Sequence, residues 1–549
     1  MKISKNIKFK LFILLIILNL ILRYSIPHHE IFNDSFEMHI LANSLSEFGE
    51  ARWWTNSAAI VGMHPNSYAS MVSFLLSGIS QCTGLDIEYV TFVYGLIFGL
   101  FTIFAGYILA GMIYDDDLFK FGVAFGFSLS PAVLAYSTWT AHARSPFVLL
   151  LPLFVYALLR FREYPFRFGL ITFSLSLLLL ATHHMVFYLM PVFAGFFAAM
   201  FILKFKGQTK SILDKVFMFL LKAPLPNMIK DYIKSLKSSD ELIPFILIIG
   251  FLLMFGYSFV THSFMTIGSR WANLSFMANE YPRYTGILIF LSIGGFIYLL
   301  FKQHKQFGEW FLLLCLMFLT PFLQEHMYMK WFIVLFAILF AGMGLMNLNR
   351  LYKEKKKFAS FAIVFFLVLS VCFSGYFQFL HPYSKSGSIM ERYLEDGTYT
   401  MGIWAKKNMD GNSISNDRWI GWRVASISGR PILTGSATDD QAYGFVDVSE
   451  FELVKNPITS EEFWIDSPYR RVKGTVSDGY WQYIVQSEYN SNRGSELIQR
   501  FNLRYVVENT RAEGYWLSHH GYRLSGLLES IYDKKNCIYD NGNINVWYL

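Results

Sequence analysis

Over the first 380 positions, apolar residues fall in long, nearly uninterrupted runs, and polar residues gather in the short segments between them. Runs near the roughly 20 residues that cross a bilayer predict membrane helices. They lie at about 11–22, 90–113, 120–137, 146–160, 168–183, 185–203, 243–261, 284–301, 310–323, 331–347 and 358–380, giving about eleven spans. A weaker, serine-rich stretch from Ser67 to Gly84 predicts a helix lying in the outer interface. From Lys204 to Leu242, lysines alternate with an apolar periodicity through Ile212, Val216, Phe217, Phe219 and Leu220, which predicts an amphipathic segment on the cytoplasmic face.

Beyond His381 the apolar runs shorten and Asp, Asn, Gly, Ser and Tyr become frequent. The pattern there predicts helices around Thr400–Asn408 and Gly421–Ser428, and strands at Asn412–Ser415 and Leu503–Val507. The stretch from Cys537 to Leu549, with Asn541-Gly542 at its centre, reads as a closing β-hairpin. The expected fold is therefore a polytopic α-helical membrane domain over 1–380 followed by a soluble α/β domain over 381–549.

Charge orients this arrangement. Lys2, Lys5, Lys8 and Lys10 precede the first run and predict a cytoplasmic N-terminus. Arg23 and Tyr24 follow that run without a small-residue cleavage site, so it reads as an uncleaved helix. Arg160, Arg162 and Arg167, Lys204 to Lys237, Lys302 and Lys305, and Arg350 to Lys357 all fall in loops that the same parity places inside. The first loop, 27–89, and the C-terminal domain are then extracytoplasmic, in a multi-pass protein of the cell membrane. The net charge of +7 could suggest a nucleic-acid partner, but the basic residues sit mostly in short inter-helical loops, so no nucleic-acid role is assigned. Cys82, Cys315, Cys372 and Cys537 form neither a disulfide framework nor a CxxC site.

The loops predicted to lie outside hold the candidate chemistry. Asp34, Glu37, His39 and His64 come from the first, His142 and Arg144 from the second, and His183 and His184 from the third. His262, Arg270, Glu280 and Arg283 come from the fourth, and Glu325, His326 and Lys330 from the fifth. Few acids among many cations at headgroup depth suit a site that binds a lipid phosphate and activates a hydroxyl. Asp34 is either the base or a helix N-cap, since Asn33-Asp34-Ser35 precedes a helical stretch. His39 either packs within its loop or contacts substrate, and Glu37 is expected to be solvated. Arg144 either snorkels to headgroups or binds an anion. Lys330 either pairs with Glu325 or binds phosphate. His183 and His184 read as satisfied helix-end residues, and Trp53 and Trp54 as either part of an interfacial aromatic belt or a sugar-stacking platform. Two sequons, at Asn33 and Asn273, carry no assigned function.

The order of these features resembles GT-C membrane glycosyltransferases. The first loop reads Asp34-x4-His39-x2-Ala42-x2-Leu45-x3-Gly49 and then His64-Pro65, and Ser130-Pro131-Ala132 closes the third span. In the C-terminal domain, Trp404-Ala-Lys-Lys-Asn, Ser415-Asn-Asp-Arg-Trp-Ile-Gly421-Trp-Arg-Val and Gly429-Arg-Pro are similar to the segment that carries the WWDYG motif in oligosaccharyltransferase catalytic subunits. The resemblance implies a glycosyltransferase that takes a sugar from a polyprenyl phosphate, dolichyl-type donor and passes it to an extracytoplasmic glycan or protein acceptor. Asp34 would be the base, and His39, His142, Arg144, Arg270 and Lys330 would bind substrate.

Two departures qualify it. His142-Ala143-Arg144 stands where the second acidic pair belongs, so the usual oxygen-ligand metal site is not evident, and no metal or other cofactor is expected. Only Trp419, Gly421 and Trp422 remain of WWDYG, with the acid displaced to Asp417. The alternatives are a metal-dependent oligosaccharyltransferase acting on protein asparagine and a non-enzymatic transporter or glycan-assembly scaffold.

Overall fold

Every apolar run predicted to span folds as helix, because in hydrocarbon a helix satisfies its own backbone hydrogen bonds. The structure, a computed structural model, describes residues 2–24, 29–54, 57–63, 69–222, 227, 242–261, 270–323, 326–351, 356–380, 394–434, 453–457, 469–471, 492–510 and 536–549. Among them, eight helices are long and apolar enough to cross a membrane. Three further predicted spans are helices that carry more charge or are shorter: α1 (Lys5–Leu22), α5 (Asp117–Ser128), and the helix Phe307–Leu319. This is a multi-pass membrane protein.

The N-terminal lysines have a fixed place. Lys8 pairs with Asp117 at 2.9 Å, the Ile3 amide donates to Asp117 at 2.7 Å, and Lys2 pairs with Asp115. The basic start is thereby fastened to the turn between α4 (Ile87–Ile113) and α5. Elsewhere in the bundle the helices Ile289–Phe301 and His326–Leu351 touch backbone to backbone. A Cβ on Gly295 would lie 1.9 Å from the Phe340 carbonyl oxygen, so only glycine permits this approach.

Helix α2 (Asn33–Phe48) joins the two parts of the chain. Met38, Leu41 and Leu45 pack with Trp53, Val90 and Tyr94, and also with Ile414, Leu433 and Leu497 of the C-terminal domain. Phe36 and Ile40 pack with Met401, Trp422 and Val424 of that domain. Asn43 donates to the Ser426 carbonyl at 2.7 Å, and Lys406 pairs with Asp86 at 2.8 Å. Helix α3 (Met71–Thr83) occupies the stretch predicted to lie in the interface. Of the amphipathic segment 204–242, a helix covers Lys206–Lys222, and 223–226 and 228–241 lie outside the described residues.

The C-terminal domain is α/β. Its main sheet has five strands: β1 (Asn412–Ser415), β2 (Ile432–Thr434), β5 (Leu503–Asn509), β6 (Cys537–Asp540) and β7 (Ile544–Tyr548). The order is β2-β1-β5-β7-β6, with β1 parallel to β2 and β5, and β7 antiparallel to β5 and β6. Short strands β3 (Leu453–Lys455) and β4 (Tyr469–Arg471) form a separate antiparallel pair. The β6–β7 hairpin turns at Gly542, whose φ of +83° is one that glycine adopts without strain. Two helices, Asp396–Asn408 and Arg418–Ser428, link the sheet to α2.

Two expectations fail here. Glu37 is buried instead of solvated, on a helix packed by both the membrane-domain core and the α/β domain. Trp53 is fully buried in the core beside α2 instead of lying in an interfacial belt.

Candidate active site

Asp34 lies in the first turn of α2, where a carboxylate is favoured by the helix dipole, but it does not cap the helix. The N-cap is Phe32, which is held at φ +74° and makes no side-chain cap bond. A non-glycine residue in that region is strained, and the turn survives because its surroundings enforce it. The Ile31 amide donates to the Trp139 carbonyl at 3.0 Å, and Phe32 stacks on Tyr136 at 5.4 Å between ring centroids. Behind the turn, buried Glu30 accepts from the Ser35 hydroxyl and holds His39 Nδ1 at 2.7 Å. The Ser35 hydroxyl in turn accepts from the Ala141 amide at 2.6 Å. This network fixes the start of α2 against the loop that enters α7 (Arg144–Phe161).

The result is a close pairing of Asp34 and His142, with Nε2 to Oδ2 at 2.6 Å. The hydrogen-bond pattern sets the imidazole's tautomer. Nδ1 accepts from the Arg144 amide at 3.2 Å, so the single ring proton of a neutral His142 sits on Nε2 and is donated to Asp34. Burial pushes the His142 pKa below its usual value, the Asp34 carboxylate opposes that shift, and Arg144 adds to it. His142 is buried, whereas the side chain of Asp34 is 50% exposed, so the carboxylate is oriented by protein on one side and open on the other.

Near Asp34 and His142 stand two cations. The Arg144 guanidinium carbon lies 5.9 Å from the Tyr136 ring centre and 5.3 Å from that of Tyr328. Lys330 Nζ lies 5.7 Å from the Tyr136 ring, 4.4 Å from Tyr284 and 5.5 Å from Trp331. Its one oxygen contact among the described residues is the Tyr284 hydroxyl at 3.4 Å. Tyr136 is the hub: its ring meets His142 edge-on at 4.8 Å and Trp331 at 4.5 Å, and Asp34, Arg144 and Lys330 all act on it electrostatically. Arg144 Nε and Trp331 Nε1 are buried with no hydrogen-bond partner among the described residues. Buried donors without acceptors are costly in an isolated protein and are available to an oxyanion.

Of the residues singled out in the sequence, Asp34, His142, Arg144 and Lys330 come together. His39 lies elsewhere, turned to Glu30. Arg270 opens the helix Arg270–Thr285, and its side chain lies outside the described residues. So do His64, His262 and Glu325, leaving the Glu325–Lys330 pair undescribed. His183 accepts from the Met185 amide at 3.1 Å, and its ring lies 5.6 Å from Tyr328. Asp417 is a helix cap: Oδ1 accepts from the Trp419 and Ile420 amides at 2.8 and 3.3 Å, and Oδ2 from Asn509 at 2.7 Å. Sequence reasoning missed Glu30, Ser35, Tyr136, Tyr284, Tyr328 and Trp331. Only Glu30 carried a signal, as an acid close behind a membrane span.

No protein-family model matches the sequence, and no curated protein matches it. Among solved structures, the crystal structure of the Archaeoglobus fulgidus oligosaccharyltransferase, in complex with Zn and sulfate, is similar. The two are 13% identical with a TM-score of 0.54, over 91% of this chain and 68% of that one. The likeness is one of architecture: the chain shares the fold of that structure, with membrane helices followed by a small C-terminal sheet domain.

Proposed function

We propose that this protein is a membrane glycosyltransferase that moves a sugar from a polyprenyl phosphate donor to an extracytoplasmic acceptor. The observation that carries the proposal is the gathering of Asp34, held by His142, with the cations Arg144 and Lys330 around Tyr136. Asp34 accepts or orients the proton of the acceptor hydroxyl or amide. The acceptor's electron pair forms the new bond to the anomeric carbon, and the bond from that carbon to the phosphate oxygen breaks. The phosphate leaves with the bonding pair, and Arg144 and Lys330 stabilise the charge that develops on it. The donor's lipid tail lies along the spans, and the N-terminus is cytoplasmic.

The reaction is read as independent of divalent metal. The groups nearest Asp34 are an imidazole that donates to it and a guanidinium, and among the described residues no three of His, Cys, Asp or Glu converge. Arg144 and Lys330 gather with Asp34 around Tyr136, and their charge would oppose a divalent cation there. No metal step is therefore written.

The likeness to an oligosaccharyltransferase favours a second reading, metal-dependent transfer to protein asparagine. A panel of radiolabelled polyprenyl phosphate and pyrophosphate donors, incubated with purified protein with and without EDTA, separates the two. Transfer that survives EDTA supports the first reading. EDTA-sensitive transfer to an Asn-x-Ser/Thr peptide supports the second, and binding of lipid-linked glycan without consumption supports a scaffold.

A further inference from the structure

Between α2, the start of α4 and the two C-terminal-domain helices lies a second concave site, a cleft open to solvent. It is separate from the Asp34 cluster. Asp34 and His39 are five residues apart on α2, which turns their side chains roughly 140° from each other. The cleft is lined by His39, Asp86, Glu88, Tyr89, Tyr399 and Lys406, together with the end of the helix Arg418–Ser428.

Two of these residues are held as if for a ligand. Glu88 is 6% exposed, and His29 Nδ1 occupies its Oε1 at 2.7 Å, leaving Oε2 without a side-chain partner among the described residues. His39 is 3% exposed, and its Nδ1 is engaged by Glu30. Its other ring nitrogen, Nε2, meets no described residue. Of the last-turn carbonyls of the helix Arg418–Ser428, those of Ala425 and Ser426 accept from the Gly429 amide and Asn43, and those of Ile427 and Ser428 add further acceptors. The reaction centre is rich in donors; this cleft is rich in acceptors.

A ligand that fits must offer several hydrogen-bond donors. A cationic ligand is disfavoured, because Lys406 already sits on Asp86 and His29 on Glu88. A sugar offers hydroxyl donors without charge, and its apolar ring faces suit the rings of Tyr89 and Tyr399. We propose that this cleft binds a neutral carbohydrate segment of the acceptor or product glycan, apart from the reaction centre. That assignment of the glycan's role rests on the glycosyl-transfer reading, whereas the binding itself does not.

The test uses the full chain in lipid nanodiscs and an array of neutral oligosaccharides, with titration of any that bind. Wild type and Asp34→Asn bind the same oligosaccharide equally. Glu88→Gln, which preserves shape, and Tyr399→Ala, from a different element, each weaken it roughly tenfold or more. The proposal is overturned if no oligosaccharide binds, if both cleft variants bind like wild type, or if Asp34→Asn alone loses binding. It is also overturned if tetralysine occupies the cleft in preference to the sugar. Binding as stated with no consumption of any lipid-linked donor leaves the cleft assigned and refutes the transferase reading. Donor turnover with no binding at the cleft does the reverse.

Discussion

Replacing His142 by alanine removes a donor that orients Asp34, the Nε2–H bond of 2.6 Å. A hydrogen bond to a charged group contributes about 1.5–3 kcal/mol. Here the Asp34 side chain is 50% exposed, so water replaces part of the lost bond. The discounted cost is about 1–2 kcal/mol, or a fall of roughly 5- to 30-fold in kcat/KM for sugar transfer. His142→Gln, which can still donate to Asp34, recovers part of that loss. The pH dependence has a definite sign. Burial, the largest influence, depresses the folded-state pKa of His142, so the unfolded chain takes up the proton first. Its contribution to stability is complete above about pH 6.5, the ordinary histidine value, and is lost as pH falls below it toward the depressed value. Protonation would also set an Nδ1–H against the Arg144 amide, so the His142-dependent loss of rate begins below pH 6.5 and is absent in His142→Gln. Initial rates with a radiolabelled donor measure both effects. Wild-type kcat/KM in His142→Ala would refute the reasoning.

Three further outcomes follow from the same geometry. Lys330→Met, which removes a buried cation aimed at Tyr136 and Tyr284, lowers kcat/KM for donor roughly 10- to 100-fold, with Lys330→Arg less affected; equal rates in both variants and wild type would remove Lys330 from phosphate binding. Glu30→Ala strands the Ser35 hydroxyl and His39 Nδ1, costing about 2 kcal/mol or more, so detergent-solubilised protein unfolds at a lower temperature; an unchanged Tm contradicts the fastening role. In intact cells a membrane-impermeant maleimide reaches exposed Cys82 in wild type and not in Cys82→Ser, and protection of Cys82 until the cells are lysed would invert the proposed topology.

The legible parts of the fold were those fixed locally. Apolar runs such as Ile87–Ile113 must be helical in hydrocarbon, and Asn541-Gly542 marks its own turn between β6 and β7. The structural role of Asp417 is equally local, because Asp417 followed by Arg418 and Trp419 is an N-cap sequence and caps a helix. Asp34 and Arg144 could be singled out as charges at helix ends, but their relation could not. The Asp34–His142 bond joins residues 108 positions apart and depends on the Glu30–Ser35–Ala141 network, none of which leaves a periodic trace. Tyr136 was hidden by composition, since in a chain that is 18% aromatic a single tyrosine carries no signal. Glu37 was misread because solvation was judged from α2 alone, and α2 is packed in part by a domain that begins more than 340 residues later.

The most direct measurement is transfer of radiolabelled sugar from polyprenyl phosphate by purified wild type and Asp34→Asn, each with EDTA present. Loss of a positioned base lowers rates by roughly a hundred- to ten-thousand-fold. The account predicts a fall in that range for Asp34→Asn against an EDTA-resistant wild-type rate. Transfer by Asp34→Asn at the wild-type rate would contradict it.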